Sequence, residues 1–81
     1  MKGYIMEIRC ASREVAKNVE AGIRFGGSGH YEKPDDLRFR VNMNPMHAGL
    51  LCAVCQNMAR LSTTDENAVT FWHDGEQLTN D

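Results

Sequence analysis

The segment Leu37-Arg38-Phe39-Arg40-Val41-Asn42-Met43 constrains the fold more than any other stretch of the chain. Its apolar and polar residues alternate without a break, and successive side chains of an extended strand point to opposite faces. Leu37, Phe39, Val41 and Met43 therefore belong to a core, and Arg38, Arg40 and Asn42 to the face behind it. A second alternating run, Tyr4 to Cys10, sends Tyr4, Met6, Ile8 and Cys10 one way and Ile5, Glu7 and Arg9 the other. Near the C-terminus Ala68 to His73 reads as a strand, Asp74-Gly75 as a two-residue hairpin turn and Glu76 to Thr79 as a short return strand. That register sets Phe71 opposite Leu78 on the core side and turns Trp72 toward the arginines.

Two helices fit between these strands. Ser12 is a capping residue, Glu14 an anion in the first turn, and Val15, Val19, Gly22 and Ile23 recur at helical spacing with Ala16 at the border. Gly26-Gly27 supplies the stop. Asn44-Pro45 starts the second helix, with an apolar stripe of Leu50, Leu51, Val54, Met58 and Leu61 and with His47 at its N-terminal end. Between the helices, His30 to Glu32 reads as a short strand and Lys33-Pro34-Asp35-Asp36 as a turn. The order is β-α-β-β-α-β with a short extra C-terminal strand. The expectation is an α+β, ferredoxin-like domain over residues 1–81, with two helices on one face of an antiparallel sheet and the other face open.

Composition excludes several classes. Nine Lys and Arg against eleven Asp and Glu leave a formal charge of −2, too little for nucleic-acid binding by bulk charge. No run approaches the roughly 20 apolar residues of a membrane span. Glu7 and Arg9 come too early for a signal peptide, so a cytoplasmic location without membrane attachment is expected. Three cysteines cannot all pair within one chain, which suits a reducing compartment. No Ser-His-Asp, Cys-His or paired-carboxylate arrangement stands out, and a chain this short rarely encloses a deep pocket. The expectation is a non-catalytic protein with no cofactor.

Cys52-x-x-Cys55 has the spacing of a redox or metal motif. A reactive pair sits at a helix N-terminus, where the dipole lowers a thiol pKa. This pair lies about two turns inside its helix, and His47 falls on nearly the opposite side from Cys52, so a four-ligand zinc set is hard to assemble. Ala48, Cys52, Cys55 and Ala59 do form a second helix face of small residues. Either the first helix packs there, or it is a homodimer seam with Cys52 meeting its symmetry mate. Gly26-Gly27-Ser28-Gly29 resembles a phosphate loop only in composition, because it follows a helix instead of opening one.

The open sheet face carries the functional expectation. Arg9, Arg38, Arg40 and Trp72 share it, and exposed Arg and Trp are enriched as anchors of protein interfaces. The same residue types also serve single-stranded RNA binding, through phosphate neutralisation and base stacking. Against that use, the Arg38-Phe39-Arg40-Val41 run has its only aromatic facing inward. Glu32, Asp35 and Asp36 at the central turn are a further candidate contact for a partner's basic surface. A Cys-based metal or redox protein is the third alternative.

In size, mild acidity and layout the whole chain resembles the small phage-encoded inhibitors of the anti-CRISPR type, a class without a shared motif. The resemblance implies a stoichiometric inhibitor that binds a CRISPR effector complex and blocks target-DNA recognition. It carries over no residue assignments.

Overall fold

The computed structural model describes residues 4–25 and 30–78. Five strands and two helices follow in the order β1 (Tyr4–Cys10), α1 (Arg13–Phe25), β2 (Tyr31–Asp35), β3 (Arg38–Met43), α2 (Ala48–Ala59), β4 (Val69–His73) and β5 (Glu76–Leu78). The strands form one sheet in the order β2-β3-β1-β4-β5, every neighbouring pair antiparallel. The domain is α+β, as the pattern of elements requires. Among the described residues no helix is long and apolar enough to cross a membrane.

Alternation decides which face is buried. Met6 and Ile8 of β1, Phe39 and Val41 of β3, and Val69 and Phe71 of β4 are buried under the helices. Val15, Ala16, Val19, Gly22 and Ile23 of α1 close over them. Ser12 Oγ accepts a hydrogen bond from the Val15 N–H, which caps α1 as its sequence requires. α1 and α2 pack on each other in antiparallel sense: Gly22 lies against Val54 and Met58, and Asn18 donates to Ser62 Oγ at 3.1 Å. Gly22 is a glycine because that crossing is tight. A Cβ there would stand 2.9 Å from Met58 Cγ and 3.3 Å from Val54 Cγ1.

The hairpin is the one the sequence specifies. Asp74 at φ 50° and Gly75 at φ 80° give the two left-handed central residues of a type I′ turn, and Phe71 pairs with Leu78. Thr79, the expected last residue of the return strand, and the Gly26–Gly29 run lie outside the described residues.

Three local expectations are corrected. The turn before β3 is not Lys33 to Asp36, because β2 runs through Pro34 to Asp35. Proline is tolerated there since β2 is an edge strand, with a register shift between Glu32 and Asp35. The chain reverses at Asp36–Leu37, where the Leu37 N–H donates to Asp35 Oδ1 at 2.8 Å. Asn44 does cap, accepting from the Met46 N–H at 3.0 Å, but the cap opens a short 3-10 turn at Pro45–His47 that leads into α2. His47 is exposed and does not join the core.

The third correction concerns the rotation of α2. Its buried face is Leu51, Cys52, Cys55 and Ala59, with Ala48 half-buried, whereas Leu50 and Leu61 are exposed. The inner sheet face is already filled by large side chains, Met6, Ile8, Phe39 and Phe71, so small residues of α2 fit above it. Cys52 Sγ lies 3.6 Å from Met6 Sδ. Ala48, Cys52, Cys55 and Ala59 are therefore not a dimer seam: three of the four are sealed within the monomer, and Cys52 cannot reach a symmetry mate.

Candidate functional site

The helix-free face of the sheet is assembled by register. Glu7 of β1 pairs with Arg40 of β3 on one side and Trp72 of β4 on the other. Arg9 pairs with Arg38 and Thr70, and Ile5 with Asn42. Across the edge, Glu32 faces Arg40 and Asp35 faces Arg38. Paired residues of a sheet share a face. The four expected contact residues Arg9, Arg38, Arg40 and Trp72 thus stand on one surface, spread over three strands, with Glu32 and Asp35 at its margin. Asp36 lies past the end of β2, outside the paired register of this face. It turns to the start of α1 and meets Arg13 at 3.2 Å.

Glu7 organises this surface. Its carboxylate accepts a short hydrogen bond from Arg9 Nε, and its other oxygen lies 3.7 Å from Arg40 Nε and 3.9 Å from Arg38 Nη1. The Glu7 side chain is only 16 % exposed, less than any of the three arginines around it. The Arg9 hydrogen bond, reinforced by the charges of Arg9, Arg38 and Arg40, holds the Glu7 carboxyl below its ordinary range despite partial desolvation. Arg38 is fixed from the other side, donating from Nε to Asp35 Oδ2 at 2.7 Å. The Leu37 N–H and this guanidinium hold the Asp35 carboxyl low, and Asp35 in turn raises Arg38.

Trp72 extends the surface. The Arg9 guanidinium lies over its ring, 4.1 Å from the centroid, in cation–π geometry. Its indole Nε1–H donates to Thr70 Oγ1 at 3.0 Å, so the ring is tethered to its own strand. A shallow depression of about 300 Å³ runs between Ile5, Glu7, Arg9, Arg40 and Trp72. At the start of β3 an open cleft of about 600 Å³ is walled by Arg9, Arg13, Asp35, Asp36 and Arg38, where Arg13 pairs with Asp36 and Arg38 with Asp35.

The sequence placed Glu7 on this face without giving it a role. Period two in β1 carries the signal, since a carboxylate centred among three arginines on adjacent strands is the expected counter-ion.

The cysteines are far from this chemistry. Cys10, Cys52 and Cys55 are buried free thiols. Burial pushes Cys10 and Cys52 up to about 11 and Cys55 to about 12, which leaves them protonated and unreactive. Among the described residues no group of three or more His, Cys, Asp and Glu side chains is disposed to hold a metal ion. On the opposite side from the candidate face, Tyr31 donates to Glu20 at 2.6 Å, which ties β2 to α1.

No family model matches the chain, and neither the curated proteins nor the solved structures yield a match.

Proposed function

We propose that the chain is a non-catalytic protein-binding module and that the helix-free sheet face is its contact surface. One observation carries the reading. The arginines of this face are answered on the face itself, by Glu7 and Asp35, and a tethered Trp72 lies under Arg9. Such a surface is held by its own ion pairs, with a carboxylate at its centre and an aromatic ring beside it, which matches a protein hot spot in which Trp and Arg are held in place before binding. A phosphate backbone meets it less well, because each phosphate approaching Arg9, Arg38 or Arg40 also approaches the Glu7 and Asp35 carboxylates.

The partner class follows the resemblance to anti-CRISPR inhibitors: a CRISPR effector complex, whose target-DNA recognition the bound chain blocks. The accompanying fold reading is a ferredoxin-like split β-α-β plan with β5 appended. Its support is the central pairing of β1 with β3 and the burial of one sheet face under both helices.

The test combines the purified chain with an effector complex and its double-stranded target. The expected result is a stable complex at one-to-one stoichiometry, loss of target binding, and recovery of target binding with the Trp72→Ala and Arg40→Glu variants. Unchanged target binding refutes the partner class. In a parallel titration with short single-stranded RNA, affinity that falls steeply with salt and weakens in Trp72→Ala would replace the protein-binding reading with the RNA-binding one.

A further inference from the structure

The second helix has a feature that the sheet face does not use. From Val41 to Ala59 there is no Asp, Glu, Lys or Arg. A helix that is apolar on every side is normally buried on every side. α2 buries Leu51, Cys52, Cys55 and Ala59 toward the sheet and turns Val54 and Met58 toward α1. Its third side is open: Met46 is 86 % exposed, Leu50 68 % and Leu61 72 %, with Ala53 and Asn57 exposed between them. Because α1 and α2 run antiparallel, α1 ends near the N-terminal end of α2, and Phe25 there is 92 % exposed.

We infer that this third side of α2 is an interface with a second copy of the same chain, formed across a two-fold axis near Ala53. Three observations select that occupant. Leu50, Ala53 and Asn57 of α2 follow at steps of three and four, the spacing of a helix packed lengthwise on another, and Met46 of the 3-10 turn before the helix and Leu61 of the turn after it stand at its two ends. In an antiparallel pair centred near Ala53 the seam complements itself: Met46 comes opposite the partner's Leu61, and Leu50 opposite the partner's Asn57. Small Ala53 at the middle, and Gly49 with nothing within 4 Å of a Cβ position, let the backbones approach. The second observation is charge. The stripe from Met46 to Asn57 is uncharged and docks on its own copy without repulsion, it offers a charged partner nothing to register against, and it meets an anionic lipid surface with only Arg24 and Arg60 at its ends.

The third observation is area. At roughly 150–200 Å² per fully exposed large side chain, Met46, Leu50, Leu61 and Phe25 present about 500 Å² of apolar-residue surface. A standard interface buries about 800 Å² on each partner, so these four side chains supply more than half of that area and Ala53, Asn57 and the surrounding polar residues must supply the rest. The helix layer lies opposite the sheet face, so a dimer joined through α2 displays two sheet faces pointing outward. The interface therefore stands or falls independently of what the sheet face binds.

Sedimentation equilibrium over about 5–500 µM tests it. The expected mass is twice the 9.1 kDa of the chain at the upper concentrations. Leu50→Glu, at an exposed position, is expected to weaken the dimer about thirtyfold or more with an unchanged circular dichroism spectrum. Ala53→Cys is expected to form a covalent dimer on oxidation, which the buried native thiols do not. Arg40→Glu on the sheet face leaves the mass unchanged. A chain that stays at 9.1 kDa throughout overturns the inference. So does a dimer indifferent to Leu50→Glu, an Ala53→Cys variant that does not cross-link, or a monomer that co-sediments with phosphatidylserine vesicles through this face.

Discussion

Gly22→Ala tests the packing that holds the helix layer over the sheet. In an isolated helix the change stabilises by about 0.8–1.0 kcal/mol, because alanine loses less backbone entropy. Here the added methyl would sit 2.9 Å from Met58 Cγ and 3.3 Å from Val54 Cγ1. Cγ is not the free end of the Met58 side chain, so relief requires a new Met58 rotamer or a wider helix separation. Overpacking of this kind costs about 1–3 kcal/mol, which outweighs the propensity gain and leaves the variant about 1 kcal/mol less stable. For a domain of this length that is a fall of about 4–8 °C in Tm. Urea denaturation followed by circular dichroism measures it. Met58→Ala removes the obstructing atom. The Gly22→Ala/Met58→Ala double variant should then be more stable than the sum of the single changes by about 1 kcal/mol or more. A Gly22→Ala variant that is stabilised by the full propensity value, with no coupling to Met58, refutes the close crossing.

Glu7→Gln removes the counter-ion of Arg9, Arg38 and Arg40 and should cost at most ~1 kcal/mol at pH 7, since these groups are partly screened by solvent. The Glu7 carboxyl is held below its ordinary 4.5, so its contribution is present above that pH and is lost as pH falls through the lower folded value. Thermal melts of wild type and Glu7→Gln should therefore differ at pH 7 and converge well below pH 4.5; a constant difference down to pH 2 would remove Glu7 from that role. With thiols at about 11 to 12, aromatic disulfide reagents at pH 8 should label Cys10, Cys52 and Cys55 only as the chain opens, and all three at once in denaturant. Immediate labelling of a native thiol would contradict their burial. Phe39→Ala, at the fully buried centre of the sheet, should cost about 3–5 kcal/mol and leave little folded chain at 37 °C.

The strands were legible because period two leaves one solution. Phe39 and Arg40 cannot exchange faces without reversing the whole strand, and the Asp74-Gly75 turn fixes Phe71 against Leu78. α1 was legible for the same kind of reason, since Arg13, Lys17 and Arg24 mark its wet side. α2 was not. With no charged residue between Ala48 and Ala59, nothing marks its solvent side, and residue size pointed the wrong way. Leu50 looked like core, yet the room above Met6 and Phe39 suits Cys52 and Cys55. The turn after β2 was misplaced because Pro34 suits both a turn and an edge strand, and only the sheet order decides between them. The partner of Asp36 was not legible, because a residue past the end of a strand has no register to fix what it faces, and here it meets Arg13 of α1.

Trp72 is the only tryptophan of the chain, so fluorotryptophan incorporation gives one fluorine resonance that reports on the proposed contact surface alone. Titration with the partner recovered by affinity purification should shift and broaden that resonance in step with complex formation, and Arg40→Glu should abolish both the shift and the complex. A complex that forms while the resonance stays at its free position would place the partner elsewhere on the molecule.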